Sequence, residues 1–298
     1  MNRFFSGESA GLIAVILAAT IWASSFIALK IALDSIGPMS IIFGRMIVAS
    51  LIFAIFIPKF LKIKFSKNDV LLIGLMVLFE PSFYFIFEIK ALQFTSASQA
   101  GVITATLPLL VAIGAGIVLK EAITKRLIFG SVLALSGAIW LSIEASVETY
   151  APNPLLGNFL EFIAMICAAG YTITLKFLTK KFSALFLTAI QAFAGAIFYL
   201  PLAFWESWGR SLNYSSDGIF AIFYLGIIVT LGGYGLYNFA LTKLPASKTS
   251  AFMNLIPAIA LILGFIILNE RLSFYQLLAT GLIFLGVIIT QSRSRKIR

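Results

Sequence analysis

"ASQAGVITATLPLLVAIGAGIVLKE", Ala97 to Glu121, is almost wholly apolar, is long enough to cross a bilayer, and carries Pro108 at its centre. The pattern returns 149 residues later as "ASKTSAFMNLIPAIALILGFIILNE", Ala246 to Glu270, with Pro257 in the same place. A proline removes one backbone donor and frees the carbonyl four residues earlier, here that of Thr104 and that of Met253. In hydrocarbon an unpaired carbonyl is costly, so the break is tolerable only beside water, a polar neighbour or a ligand. Thr104 and Thr106 in one copy, and Asn254 in the other, are polar groups close at hand. The matched breaks at Pro108 and Pro257 read as hinges flanking a cavity halfway through a membrane.

Composition fits that reading. The chain has 298 residues, 60% hydrophobic and 11% charged, with a mean hydropathy of +1.03. A soluble domain carries roughly a quarter charged residues. Apolar runs of about 20 residues, each able to cross roughly 30 Å of hydrocarbon, recur along the chain. They predict ten helices, over 11–33, 39–58, 69–91, 97–119, 126–144, 155–178, 184–205, 218–242, 246–269 and 273–292. The first run is read as a retained helix and not as a removable signal.

An even number of spans puts both termini on one side. That side gathers Arg3, Lys59, Lys62, Lys64, Lys67, Lys120, Lys125, Arg126, Lys176, Lys180, Lys181, Lys243, Lys248 and the basic tail 293–298. The opposite side holds Lys30, Lys90, Arg210 and Arg271. By the positive-inside rule both ends are cytoplasmic, in a multi-pass protein of the cytoplasmic (inner) membrane. The net charge of +10 thus reports topology and implies no nucleic-acid partner.

Several chemistries are excluded. There is no histidine, hence no Ser-His or Cys-His catalytic pair and no histidine metal site. Cys167 is alone and forms no internal disulfide. Asp34, Asp69 and Asp217 fall in or beside loops, so no aspartyl pair sits within the membrane. No phosphate-cradling loop is present. The sequence points to no enzyme, no metal and no cofactor, and it specifies no oligomeric state.

The two halves align. Gly11, Lys30 and Arg45 match Gly157, Lys176 and Gln191, and after a short insertion Ala91, Pro108, Glu121 and Gly137 match Ala240, Pro257, Glu270 and Gly286. Five helices per copy is an odd number, so the second copy enters from the opposite side. The expectation is an all-α membrane protein of ten transmembrane helices in two inverted five-helix repeats, 1–144 and 155–292, joined by an external linker at 145–154.

The chain resembles the EamA branch of the drug/metabolite transporter superfamily over nearly its whole length. The likeness rests on "IWASSFIALKIAL", "GRMIVASLIF", "ALQFTSASQAGVITATLPLLVAIGAGIVLKE", "GSVLALSGAIWLS", "ALTKLPASKTSAFMNLIPAIALILGFIILNERLS" and "LLATGLIFLGVII". The family's glutamate-arginine pair stands at Glu270-Arg271, whereas the first copy has Glu121-Ala122. The resemblance implies a secondary transporter that exports small metabolites such as amino acids by alternating access.

Charge inside the membrane marks the candidate site. Glu80 lies mid-span just before Pro81, where an ionised group costs about 2.5–3.5 kcal/mol on insertion scales. Glu80, Tyr84 and Glu88, four apart, share a helical face. Arg45 and Glu161 lie about two turns inside their spans, so Arg45 has either Glu80 or Glu161 as a partner within reach. Glu80 is read either as one side of a structural pair, or as a site for a coupling proton or a substrate ammonium. Trp22, Ser25, Thr104, Tyr171, Tyr234, Asn238 and Asn254 supply the aromatic and polar lining that suits a small amphipathic solute. Gly232, Gly233 and Gly235 allow close helix approach or local bending. Glu121 and Glu270, at helix C-termini, are read as gate or structural groups neutralised by neighbouring basic residues. A nucleotide-sugar or phosphorylated-metabolite exchanger would need several cavity cations, and Arg45 is the clear one. A non-transporting scaffold would need neither Glu80 nor the mirrored prolines.

Overall fold

In the computed structural model, residues 7–118, 125–144, 151–209 and 214–291 are described, and they form helices with no β-strand among them. Eight helices are long and apolar enough to cross a membrane. They are α1 (Gly7–Leu33), α2 (Pro38–Phe60), α3 (Lys67–Phe94), α4 (Ala97–Val118), α6 (Pro154–Leu178), α7 (Ala184–Ser207), α8 (Ser216–Lys243) and α9 (Ala246–Ile267). Two helices with shorter apolar runs, α5 (Lys125–Ile143) and α10 (Phe274–Gln291), join them. The chain is a multi-pass membrane protein. The expected tail 293–298, most of the linker and Glu121 lie outside the described residues.

Polar caps set helix starts that hydropathy misses. The Asp69 N–H donates to Ser66 Oγ at 3.2 Å, and the Ser66 N–H donates back to Asp69 Oδ2 at 2.6 Å. This reciprocal pair starts α3 at Lys67 instead of 69. Ser96 and Ser183 accept from Gln99 N–H and Phe186 N–H at the heads of α4 and α7.

Four helices break at mid-depth. In α3 the break runs through Leu78–Phe83, where Glu80 has an extended backbone (φ −152°, ψ 123°) ahead of Pro81. In α8 the helix widens to π-type turns across Leu225–Gly233. Helices α4 and α9 tighten into 3₁₀ turns at Thr104–Thr106 and Phe252–Asn254, just ahead of the two prolines. These turns correct one expectation. The Thr104 carbonyl is not orphaned by Pro108, because the Leu107 N–H reaches it in the tighter i→i+3 pattern. A second correction concerns Glu80, whose extended backbone takes it out of helical register with Tyr84 and Glu88.

Small residues bring the rods together. Helix α2 lies against α7, α4 against α9, and α5 against α10, while α1 packs on α8 and α9 and α6 packs on α3 and α4. Gly11 faces Lys243 and Leu244, and its counterpart Gly157 faces Thr95 and Ala91. Of the three glycines near Tyr234, Gly233 alone makes a close approach, since a Cβ there would lie 2.9 Å from Trp22 Nε1, whereas Gly235 faces open space.

Both ends of the bundle are tied. At one end Glu206 accepts from the Met39 and Ser40 N–H groups at 3.2 and 2.9 Å. Glu270 accepts from the Ala97 and Ser98 N–H groups at 2.9 and 2.8 Å. Each carboxylate of the second half thereby caps a helix of the first, where the helix dipole favours an anion. Glu270 was expected to be neutralised by Arg271; backbone donors of α4 hold it instead. Gly264 stands against this seat, and a Cβ there would lie 2.9 Å from Glu270 Oε2. At the opposite end Lys181 pairs with Asp69 and Lys248 with Glu8, and Lys176 Nζ donates to the Leu241 and Leu244 carbonyls at 2.7 Å.

A Cβ at Gly286 would lie 2.5 Å from Ala134 N and 2.6 Å from Gly130 O. Gly286→Val therefore forces α5 and α10 apart and destabilises the fold by about 1–3 kcal/mol. Thermal unfolding of the purified chain in detergent reads the loss, and an unchanged melting temperature would refute the contact.

Candidate functional site

The four breaks meet at a cavity of about 40 Å³. That is room for roughly three waters at 10–15 Å³ each. Trp22 and Ser25 line it from α1 and Arg45 from α2. Glu80, Tyr84 and Glu88 come from α3, Thr104 from α4, Tyr171 from α6 and Tyr234 from α8. All are buried except Trp22, which is partly so.

Three other residues expected there lie outside the lining. Glu161 is fully buried elsewhere in α6, and Asn254 is half-buried in the turn before Pro257. Asn238 sits behind Tyr171, whose hydroxyl donates to Asn238 Oδ1 at 2.6 Å. The prolines themselves are buried away from the cavity, and their preceding residues Leu107 and Ile256 line it.

The polar groups are held in place by specific partners. Arg45 Nε donates to Thr230 Oγ1 at 3.0 Å, and its guanidinium lies 4.5 Å from the Phe85 ring centroid. Neither pairing expected for Arg45, with Glu80 or with Glu161, is made. Thr230, the partner taken instead, stands in the π-type segment of α8. Glu80 instead accepts a short hydrogen bond from the Tyr234 hydroxyl. Tyr84 donates to Glu88 Oε1 at 2.7 Å. The break at Pro81 is braced by Tyr199, whose hydroxyl donates to the Pro81 and Ser82 carbonyls.

An aromatic wall faces these charges. The Trp22 ring lies 4.8 Å from both Tyr234 and Tyr237, and its Nε1 is buried without a partner. Tyr237 in turn shares a 2.9 Å hydrogen bond with Thr172. The candidate residues missed Tyr237, Phe26 and Met165 in the lining, and Tyr199 and Thr188 behind it. For Tyr237 a signal existed, because it is the repeat partner of Glu88. Phe26 and Met165 carry no such mark in a chain this apolar.

The model of the EamA-like transporter family matches residues 9–143 and 155–291. An uncharacterized transporter of Bacillus subtilis is 29% identical over 291 residues, covering 94% of this chain and 92% of the relative. An uncharacterized transporter of Archaeoglobus fulgidus is 30% identical over 277 residues, covering 93% and 97%. The protein of Streptantibioticus cattleyicolor named "Probable terminal-alkyne amino-acid exporter" is 24% identical over 281 residues, covering 94% and 93%. A crystal structure superposes with a TM-score of 0.68 at 17% identity, covering 96% of this chain and 99% of that one, and shares the fold.

Asn238 is 0% exposed, and its Nδ2 donates to Thr188 Oγ1 at 2.8 Å. Asn238→Ala removes the bonds to Thr188, Gln191 and Tyr171, leaving Tyr171 with Gln191 and Thr188 with the Ala184 carbonyl, and destabilises by about 1–3 kcal/mol. The lowered melting temperature should appear with no ligand present; a variant as stable as the parent would show that this network carries no weight.

Proposed function

The chain belongs to the EamA-like transporter family, and from that premise we propose that it is a secondary transporter exporting small amphipathic metabolites such as amino acids across the cytoplasmic membrane. It works by alternating access. Its ten crossings form two inverted five-helix repeats, 1–144 and 155–292, with 145–154 outside and both termini in the cytoplasm. Exchanging the halves maps the helix contacts onto themselves, which supports the repeat reading. The α2–α7, α4–α9 and α5–α10 pairs are each unchanged, and α1 on α8 and α9 becomes α6 on α3 and α4.

The observation that carries the function is the cavity itself. It lies where four broken helices meet, it is built from both halves, and it is lined by Arg45, Glu80 and Glu88 beside an aromatic wall. A zwitterion has matching parts. Its carboxylate meets Arg45, its ammonium meets Glu80, and its apolar body lies on Trp22, Tyr234 and Tyr237. The unpartnered Trp22 Nε1 supplies a further donor to the substrate. At about 40 Å³ the cavity admits no such solute as it stands. The halves must part, with Pro108 and Pro257 as hinges. The ties of one end open while those of the other hold. A phosphorylated substrate finds less support, because Arg45 is the one cation in the lining and such a group needs several.

A metabolite panel screened by thermal shift identifies the substrate, since a ligand at about 100 times its Kd stabilises the fold by about 2.7 kcal/mol. Counterflow of that ligand in proteoliposomes should fall at least about tenfold in Trp22→Ala and Glu80→Gln, equivalent to roughly 1.4 kcal/mol or more. A chain that binds and moves no solute is a scaffold, and transport unaffected by either substitution would remove this cavity from the pathway.

A further inference from the structure

Three carboxylate oxygens in the core have no hydrogen-bond partner: Oε2 of Glu88 and both oxygens of Glu161. Glu161 is 0% exposed and Glu88 3%. They stand on α3 and α6, which pack along one another, and Glu161 lies within the field of Glu88. Neither joins an ion pair among the described residues.

Every charged or titratable neighbour is already occupied or is itself acidic or neutral. The groups bearing on the pair are Arg45 from α2, Glu80 and Tyr84 from α3, Tyr199 from α7 and Tyr234 from α8. Arg45 is held by Thr230 and stacked on Phe85. Tyr234 donates to Glu80, Tyr199 to the backbone of the α3 break, and Tyr84 to the other oxygen of Glu88. On α1, Lys30 lies in the fields of Glu270 and Asp34. Lys90, two residues beyond Glu88, points from another face of α3, and α4 has no titratable residue.

Two carboxylates in a bilayer interior are costly, Arg45 sets one positive charge against them through Glu88, and water alone would hydrogen-bond the oxygens while leaving the remaining negative charge in place. What the arrangement lacks is one positive charge. We propose that Glu88 and Glu161 together hold one small monovalent cation, a proton or a sodium ion, beside the substrate cavity. A proton on one carboxyl donates to the other, while a sodium ion takes oxygens from both. Glu88 also lines the cavity, so the occupant and the solute share a wall. As a coupling ion the cation rests on the transport reading; as a bound cation it does not.

The test uses the purified full chain in nanodiscs with no organic substrate. Infrared difference spectra compare the parent with Glu161→Gln and with Glu88→Gln. Melting temperatures are recorded in sodium and in choline chloride. If the occupant is a proton, the parent shows a protonated-carboxyl C=O stretch that either substitution removes or shifts. If it is sodium, that band is missing and sodium raises the parent's melting temperature by several degrees over choline, a response both variants lose. Either variant suffices should the other fail to fold. Identical carboxyl bands and identical sodium responses in parent and variant would overturn the site. A chain that passes this test yet moves no solute keeps the cation and loses the transporter; one that transports but fails it loses this inference alone.

Discussion

A backbone carbonyl released from its helix inside a membrane has no solvent to turn to, and the architecture depends on how these carbonyls are answered. At the α3 break a brace comes from far along the chain: the Tyr199 hydroxyl donates to the carbonyls of Pro81 and Ser82 beside it. At the α4 break the answer is local, as the Leu107 N–H takes the Thr104 carbonyl in a tightened turn. With those groups satisfied, Glu80 can leave the helix and meet Tyr234, and space opens where four rods would otherwise close-pack.

The two halves use the same device with different materials. Breaks occur at corresponding depths in α3 and α8 and in α4 and α9. One member of the first pair is Glu80-Pro81, and the other is an apolar, glycine-bearing stretch, Leu225–Gly233. Symmetry of backbone thus coexists with asymmetry of charge. Arg45 has Gln191 as its sequence counterpart, and Gln191 is spent on the Tyr171 and Asn238 hydroxyl and amide groups. A site of this kind has a polarity, so a bound solute would have a preferred orientation.

Much of this was legible from residue type and spacing. The prolines announced the breaks in α4 and α9, but the one in α3 was not announced, because Glu80, Tyr84 and Glu88 at four-residue spacing read as one unbroken helical face. Most of the lining, from Trp22 through Tyr234, was legible because polar or aromatic residues at mid-span stand out against an aliphatic background. Partner choice was not legible. Nothing near Arg45 in the chain specifies Thr230, and nothing near Ser40 specifies Glu206. Asn254 and Asn238 look alike as mid-span amides, yet one faces no partner through Oδ1 and the other is locked behind a tyrosine. Such differences arise from helix rotation, which an all-apolar surface leaves unmarked. The widening of α8 was likewise silent, because glycines near Tyr234 signal close approach and bending equally well.

Gly264 leaves the space in which Glu270 and Ser98 meet at the head of α4. Any larger residue at that position displaces either the acid or the serine, so positions 98, 264 and 270 behave as one inherited unit. A lineage that altered one of them would have to alter the others, and related chains that depart from glycine there should be found to have rebuilt the whole corner.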